Sequence, residues 1–131
     1  MGEHMYQEVL DFIANFNQSE EIQNLFMNSC CLWFATILGD RFNERGDYLV
    51  EIFHEPVEGH FVAGMVKKVD GKWQDEYSFF DIRGDVTNLY DYDQLDNMWV
   101  LRREDPDYYL RLMRDCYDFV PGKQDIYYYP V

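Results

Sequence analysis

Tyr6, Val9, Leu10, Ile13 and Phe16 recur at spacings of three and four, and over His4 to Phe16 this predicts an amphipathic helix. Asn17, with Glu20 three residues on, has the spacing of a capped start for a second short helix, Ser19 to Met27. Asn28 and Ser29 then offer N-cap side chains to a third, Cys30 to Phe42. There Leu32, Trp33, Phe34, Ala35, Ile37 and Leu38 are apolar on nearly every side, the pattern of a buried central helix.

From Asp47 the period shortens. Tyr48 to Phe53, His60 to Val69 and Trp73 to Asp81 are rich in Val, Ile, Tyr and Phe and read as three strands. The last two flank Asp70-Gly71, a strong hairpin signal, so they are expected to pair antiparallel in a meander. Beyond Arg83-Gly84 the signal weakens into an acidic, tyrosine-rich loop around Tyr90 to Asp93 and a strand or helix at Met98 to Leu101. Asp105-Pro106 opens a further helix, Asp107 to Phe119, stopped by Gly122, and Tyr127 to Pro130 is a final edge strand or a loose end. The expected architecture is α+β, one domain over residues 1–131: N-terminal helices and a central helix packed on an antiparallel sheet.

Composition fits one folded domain, since 47% of the 131 residues are apolar and 18% aromatic, ample material for a core. The N-terminus lacks the pattern of a signal peptide, and no apolar run nears the roughly 18 residues that cross a bilayer, which points to a cytoplasmic protein without a membrane. Against 25 Asp and Glu stand 11 Lys and Arg, a formal net charge of −14. Such a surface repels phosphates, so direct nucleic-acid binding is not expected, whereas a basic partner is attracted.

The three cysteines, Cys30, Cys31 and Cys116, form neither a disulfide framework nor a Cys-x-x-Cys pair, and His4, His54 and His60 complete no zinc pattern. No metal or other cofactor is called for. Cys116 falls in an apolar helical stripe and reads as packing; His54, before Glu55-Pro56, reads as an exposed loop histidine.

Cys30 and Cys31 differ in kind from Cys116 because they open a helix, where unpaired N–H groups and the macrodipole favour a thiolate. A nucleophile also needs a base and a group to orient that base. His60 begins one strand and Asp81 ends the next; counting outward from Asp70-Gly71 sets them near each other. Gly59 permits close backbone approach at His60, and Arg83 is placed to bind a carboxylate or to be solvated.

This order, helix-borne Cys, strand-borne His, strand-borne Asp, resembles that of papain-like cysteine peptidases and amidases. More closely, Cys30-Cys31-Leu32-Trp33-Phe34-Ala35, Gly59-His60-Phe61 and Phe80-Asp81-Ile82-Arg83-Gly84 resemble a family of small, largely uncharacterised proteins of phages and Gram-positive bacteria. Its pattern is Asn-Cys-x-Trp/Tyr-Phe-Ala, Gly-His-Phe and Tyr-Asp-x-x-Gly. The resemblance covers residues 28–84 and implies Cys31 as nucleophile, His60 as base and Asp81 as orienter. It departs before the cysteine, where the family's Asn is Cys30. Asn28 or Gln23 would then supply an oxyanion donor beside the Cys31 backbone N–H.

The expected function is cysteine-dependent acyl transfer or hydrolysis on a protein or peptide amide, as a peptidase, isopeptidase, deamidase or transglutaminase. The alternative is a non-catalytic acidic inhibitor that binds a protein, in the manner of a phage-type nucleic-acid mimic.

Overall fold

A computed structural model describes residues 5–28 and 30–117, the side chains as far as 114. The Cys116 side chain, Ser29 and the Tyr127 to Pro130 tail lie outside these. Among the described residues five α-helices and an antiparallel sheet make up the fold, in the order α1 (Gln7–Phe16), α2 (Glu20–Asn28), α3 (Cys31–Asn43), β1 (Tyr48–Glu55), β2 (His60–Val69), β3 (Lys72–Trp73), β4 (Ser78–Asp81), β5 (Gly84–Asp85), β6 (Asp96–Asn97), α4 (Met98–Glu104) and α5 (Pro106–Tyr117), with two short 3-10 turns between β5 and β6. The α+β class expected from the periodicities is therefore present, and the ambiguous Met98 to Leu101 stretch is helical. Asn97 caps it, its side-chain oxygen accepting from the N–H groups of Trp99 and Val100. Among the described residues no helix is long and apolar enough to cross a membrane.

Two of the expected helix starts are built differently. Ser19, not Asn17, caps α2, its Oγ accepting from Ile22 N–H at 3.1 Å. The N-cap residue of α3 is Cys30, which makes no side-chain cap bond, and the Asn28 amide donates back to the Asn24 carbonyl at 2.8 Å. A side chain at the end of one helix is captured by that helix's own spare carbonyls before it reaches the next.

The strands run β5-β4-β2-β1-β6, with β3 pairing β2. β1 and β2 form the longest ladder, from Tyr48 opposite Lys67 to Glu55 opposite His60. Asp70 and Gly71 both have positive φ, 52° and 80°, as a two-residue turn matched to strand twist requires. The strand expected from Trp73 to Asp81 is interrupted. Gln74 N–H still bonds the Lys67 carbonyl at 3.1 Å, but Ser78 lies opposite Met65, so Asp75, Glu76 and Tyr77 face Val66 alone. This is a bulge of two extra residues.

One face of the sheet is covered by helices. Tyr48, Val50 and Ile52 of β1 and Phe61, Ala63 and Met65 of β2 pack with Val9 and Ile13 of α1 and with Leu32, Phe34, Ala35, Leu38 and Phe42 of α3. Aromatic rings tie the layers: Phe16 meets both Phe26 and Phe34, with centroids 5.2 and 5.1 Å away, and Phe42 meets Tyr48 at 5.2 Å. On the other face Phe53, Val62, Phe79 and Val86 form a smaller cluster under Tyr77, Tyr90 and Leu95. The central, buried position expected for α3 holds, with seven of its thirteen residues buried.

Gly64 marks where the smaller cluster presses on the sheet. A Cβ there would stand 2.7 Å from Phe53 Cδ2 and 3.1 Å from Phe79 Cε1, both in buried rings. Gly64→Ala is expected to cost about 1–3 kcal/mol by overpacking, read as a lower urea midpoint with an unchanged slope.

Candidate active site

Three elements end at one place: the N-terminus of α3, the start of β2 and the end of β4. Cys31 is the first residue of α3, half-buried, with its backbone N–H among the first-turn donors that the helix itself leaves unpaired. Cys30, one residue earlier, is fully buried. Its N–H donates to the Leu25 carbonyl and its carbonyl accepts from Phe34 N–H, each at 3.0 Å. Burial, and then the neighbouring Cys31, pushes the Cys30 thiol pKa up, which keeps it a neutral packing group. The adjacent pair is thus divided: one thiol faces the core and the other the site.

His60 follows a four-residue turn, residues 56–59, fastened by the Glu55 carboxylate, which accepts from the N–H groups of Val57 and Glu58 at 2.7 Å each. Gly59 has φ of +73° and nothing within 4 Å of where its Cβ would be, so the turn's backbone geometry rather than a close neighbour demands glycine. His60 itself is buried, and its Nε2 lies 2.9 Å from Asp81 Oδ2. A carboxylate only accepts, so Nε2 carries the proton there and Nδ1 is the nitrogen left free of Asp81, with the Cys31 thiol close enough to help raise the imidazole pKa.

Asp81 is 3% exposed, a depth at which an unpaired carboxylate would be strongly disfavoured. Arg83 answers that demand. Its backbone N–H donates to Oδ1 at 2.8 Å, and its Nη2 donates to Oδ2 at 2.6 Å. The same Nη2 reaches the Tyr90 hydroxyl at 3.2 Å, and the Tyr90 ring stacks on His60 with centroids 6.4 Å apart and 22° between planes.

The charges follow from these contacts. For Asp81, burial is the largest single influence and raises the pKa, but the bonds from His60 and Arg83 together outweigh it and hold the carboxyl below its ordinary range. For His60, burial opposes the charge most, yet the hydrogen bonds with Asp81 and Cys31 and their charges push its pKa up to about 9. The arrangement favours an imidazolium held by the Asp81 carboxylate, with the Cys31 sulfur beside it.

Cys31, His60 and Asp81, expected together, are brought together. The counting that paired them is off by two residues, since Ala63 lies opposite Phe80. Side chains alternate between faces, so an even offset leaves His60 and Asp81 on the same side. Of the two suggested oxyanion donors, Asn28 is exposed and bound to its own helix. Gln23 is half-buried and tied to the chain next to Asp81: its Oε1 accepts at 3.0 Å from Asn17 Nδ2, which also donates to the Ile82 carbonyl at 3.1 Å.

His54 departs from expectation. It belongs to β1 and is 4% exposed, packed on Phe61 with centroids 4.6 Å apart, and its buried Nδ1 has no hydrogen-bond partner. Burial lowers its pKa, so it sits neutral in the core. The alternation that put Tyr48, Val50 and Ile52 inside extends two residues further than Phe53, and His54 falls on that same parity. Tyr90, which covers His60, had no signal in the sequence beyond its acidic, aromatic surroundings.

The pH dependence has two signs. His60 has a raised pKa, so its contribution to stability is complete below about 6.5 and is lost as pH rises through about 9. Asp81 has a lowered pKa, so its contribution is complete above about 3.8 and is lost as pH falls through the folded-state value. The gap in unfolding free energy between wild type and His60→Gln is expected to be widest between about pH 4 and 6.5 and to shrink as pH rises from there to about 9. Asp81→Ala, which strands Arg83 and His60, is expected to cost about 3 kcal/mol or more by chemical denaturation.

No family model, curated protein or solved structure matches this chain.

Proposed function

We propose that the protein is a cysteine-dependent acyl-transfer enzyme with a papain-like arrangement, acting on an amide of a protein or peptide. The observation that carries this reading is the placing of Cys31, at a helix start, near a buried His60 that is hydrogen-bonded to an Asp81 fixed by Arg83. The Cys31 thiolate attacks the carbonyl carbon. As the C–N bond breaks, the proton on His60 Nδ1 passes to the departing amine, leaving a thioester on Cys31. Water, deprotonated by His60, then releases the acid and restores the thiolate. An amine in place of water makes the same site a transferase, and a glutamine side chain as substrate makes it a deamidase.

Asp81 holds the imidazole with Nε2 protonated, so that Nδ1 faces sulfur throughout. The developing oxyanion is received by the Cys31 backbone N–H and by Gln23 Nε2, the donor that Asn17 steadies. Tyr90 shields the His60–Asp81 bond from water, which strengthens it.

With iodoacetamide and peptide mass mapping, Cys31 is expected to be alkylated ahead of Cys30, and His60→Ala to slow its reaction roughly 100-fold. Equal, slow reaction of both thiols in wild type would remove the enzyme and leave the acidic surface, with its net charge of −14, as the basis of a protein-binding inhibitor. Once a turnover assay exists, Gln23→Ala is expected to lower kcat roughly 100-fold. Asn28→Ala is expected to leave it unchanged.

A further inference from the structure

Tyr90 belongs to two sets of contacts. It stacks on His60, and it forms part of the wall of a cavity of about 610 Å³, lined also by Asp75, Glu76, Tyr77, Asp91 and Tyr92. That volume is in the range of small-ligand pockets, roughly 300–1,000 Å³. Tyr77 and Tyr92 stack nearly parallel, 9° between planes and 5.7 Å between centroids, and Tyr77 is held by a hydrogen bond from its hydroxyl to Glu51. Phe79 lies beneath, its ring 6.2 Å from that of Tyr77. The cavity therefore offers fixed aromatic faces rimmed by three carboxylates.

Charge complementarity decides the occupant. Among the described residues none of Asp75, Glu76 and Asp91 is ion-paired. Elsewhere the chain covers its own aromatic faces with cations: Arg41 over Phe12, Arg45 and Lys67 over Tyr48, Lys68 over Trp73 and Arg111 over Tyr108. Tyr77, Tyr90 and Tyr92 carry no such cation among the described residues. Aromatic faces next to unneutralised carboxylates are the surroundings in which an ammonium or guanidinium group is bound.

We propose that this cavity is a specificity pocket for a lysine or arginine side chain of the protein or peptide acted on at Cys31, with Tyr90 as the wall shared by pocket and triad. The proposal rests on the cysteine-enzyme reading for the identity of the occupant as substrate. The binding itself does not depend on a reactive thiol.

The test is a titration of the full chain, wild type and Cys31→Ala, with Nα-acetyl-arginine amide and with its neutral isostere Nα-acetyl-citrulline amide, followed through the ring resonances of the tyrosines. The arginine compound is expected to shift Tyr77, Tyr90 and Tyr92 saturably in both proteins. Citrulline should bind at least roughly fivefold more weakly, and Asp91→Asn and Tyr92→Leu, both surface changes, should each weaken arginine binding roughly fivefold. Equal shifts by the two compounds, or shifts of other tyrosines only, overturn the pocket; so does the absence of any shift. Because Cys31→Ala still binds, a failed pocket and a failed enzyme give different results: inert Cys31 with selective arginine binding removes the enzyme alone.

Discussion

A single carboxylate, that of Asp81, is the point on which the site depends. At 3% exposure it must be compensated, and the compensation comes from three directions: the Arg83 backbone, the Arg83 guanidinium and the His60 imidazole. Satisfying it fixes the tight turn from β4 to β5, sets the ring plane of His60, and positions Tyr90 through the guanidinium that both share. A buried charge with several partners is costly to form and more costly to break, so it specifies a geometry more than it adds stability.

The scaffold around it divides labour between its two faces. The helical face, with α1 and α3 over β1 and β2, holds most of the apolar core and hence most of the stability, and it delivers only the start of α3 to the chemistry. The opposite face has a thin cluster under the loop that connects β5 to β6, and here the tyrosines and acidic residues gather. Thin cover is compatible with binding, since residues that meet a ligand have to remain accessible to it.

What could be read from the sequence follows the range of the forces involved. Period and turn chemistry are local, so α1, α3, the β1–β2–β3 meander and the helix after Pro106 were legible within a few residues. The meeting of His60 and Asp81 was legible because counting from the hairpin turn, though off by two residues, keeps both on one side of the sheet, whereas Cys31 was singled out by its place at a helix start and by the resemblance. Three things were not: the bulge at Asp75 to Tyr77, the burial of His54, and the placing of Tyr90 over His60. Each depends on residues distant in sequence, Val66 opposite the bulge, Phe61 against His54 and Arg83 toward Tyr90, and no window of a few residues contains that information.

The bulge links these parts. Strand residues alternate between faces, so a one-residue expansion there would turn Asp81 to the wrong side of the sheet, while two residues preserve its side and project Asp75, Glu76 and Tyr77 outward. The segment that corrects the phase of β4 is also one wall of the cavity. In an evolving or engineered lineage this segment can change its composition freely but its length only in steps of two, so variation in what the cavity accepts would be expected as substitutions rather than as single-residue insertions.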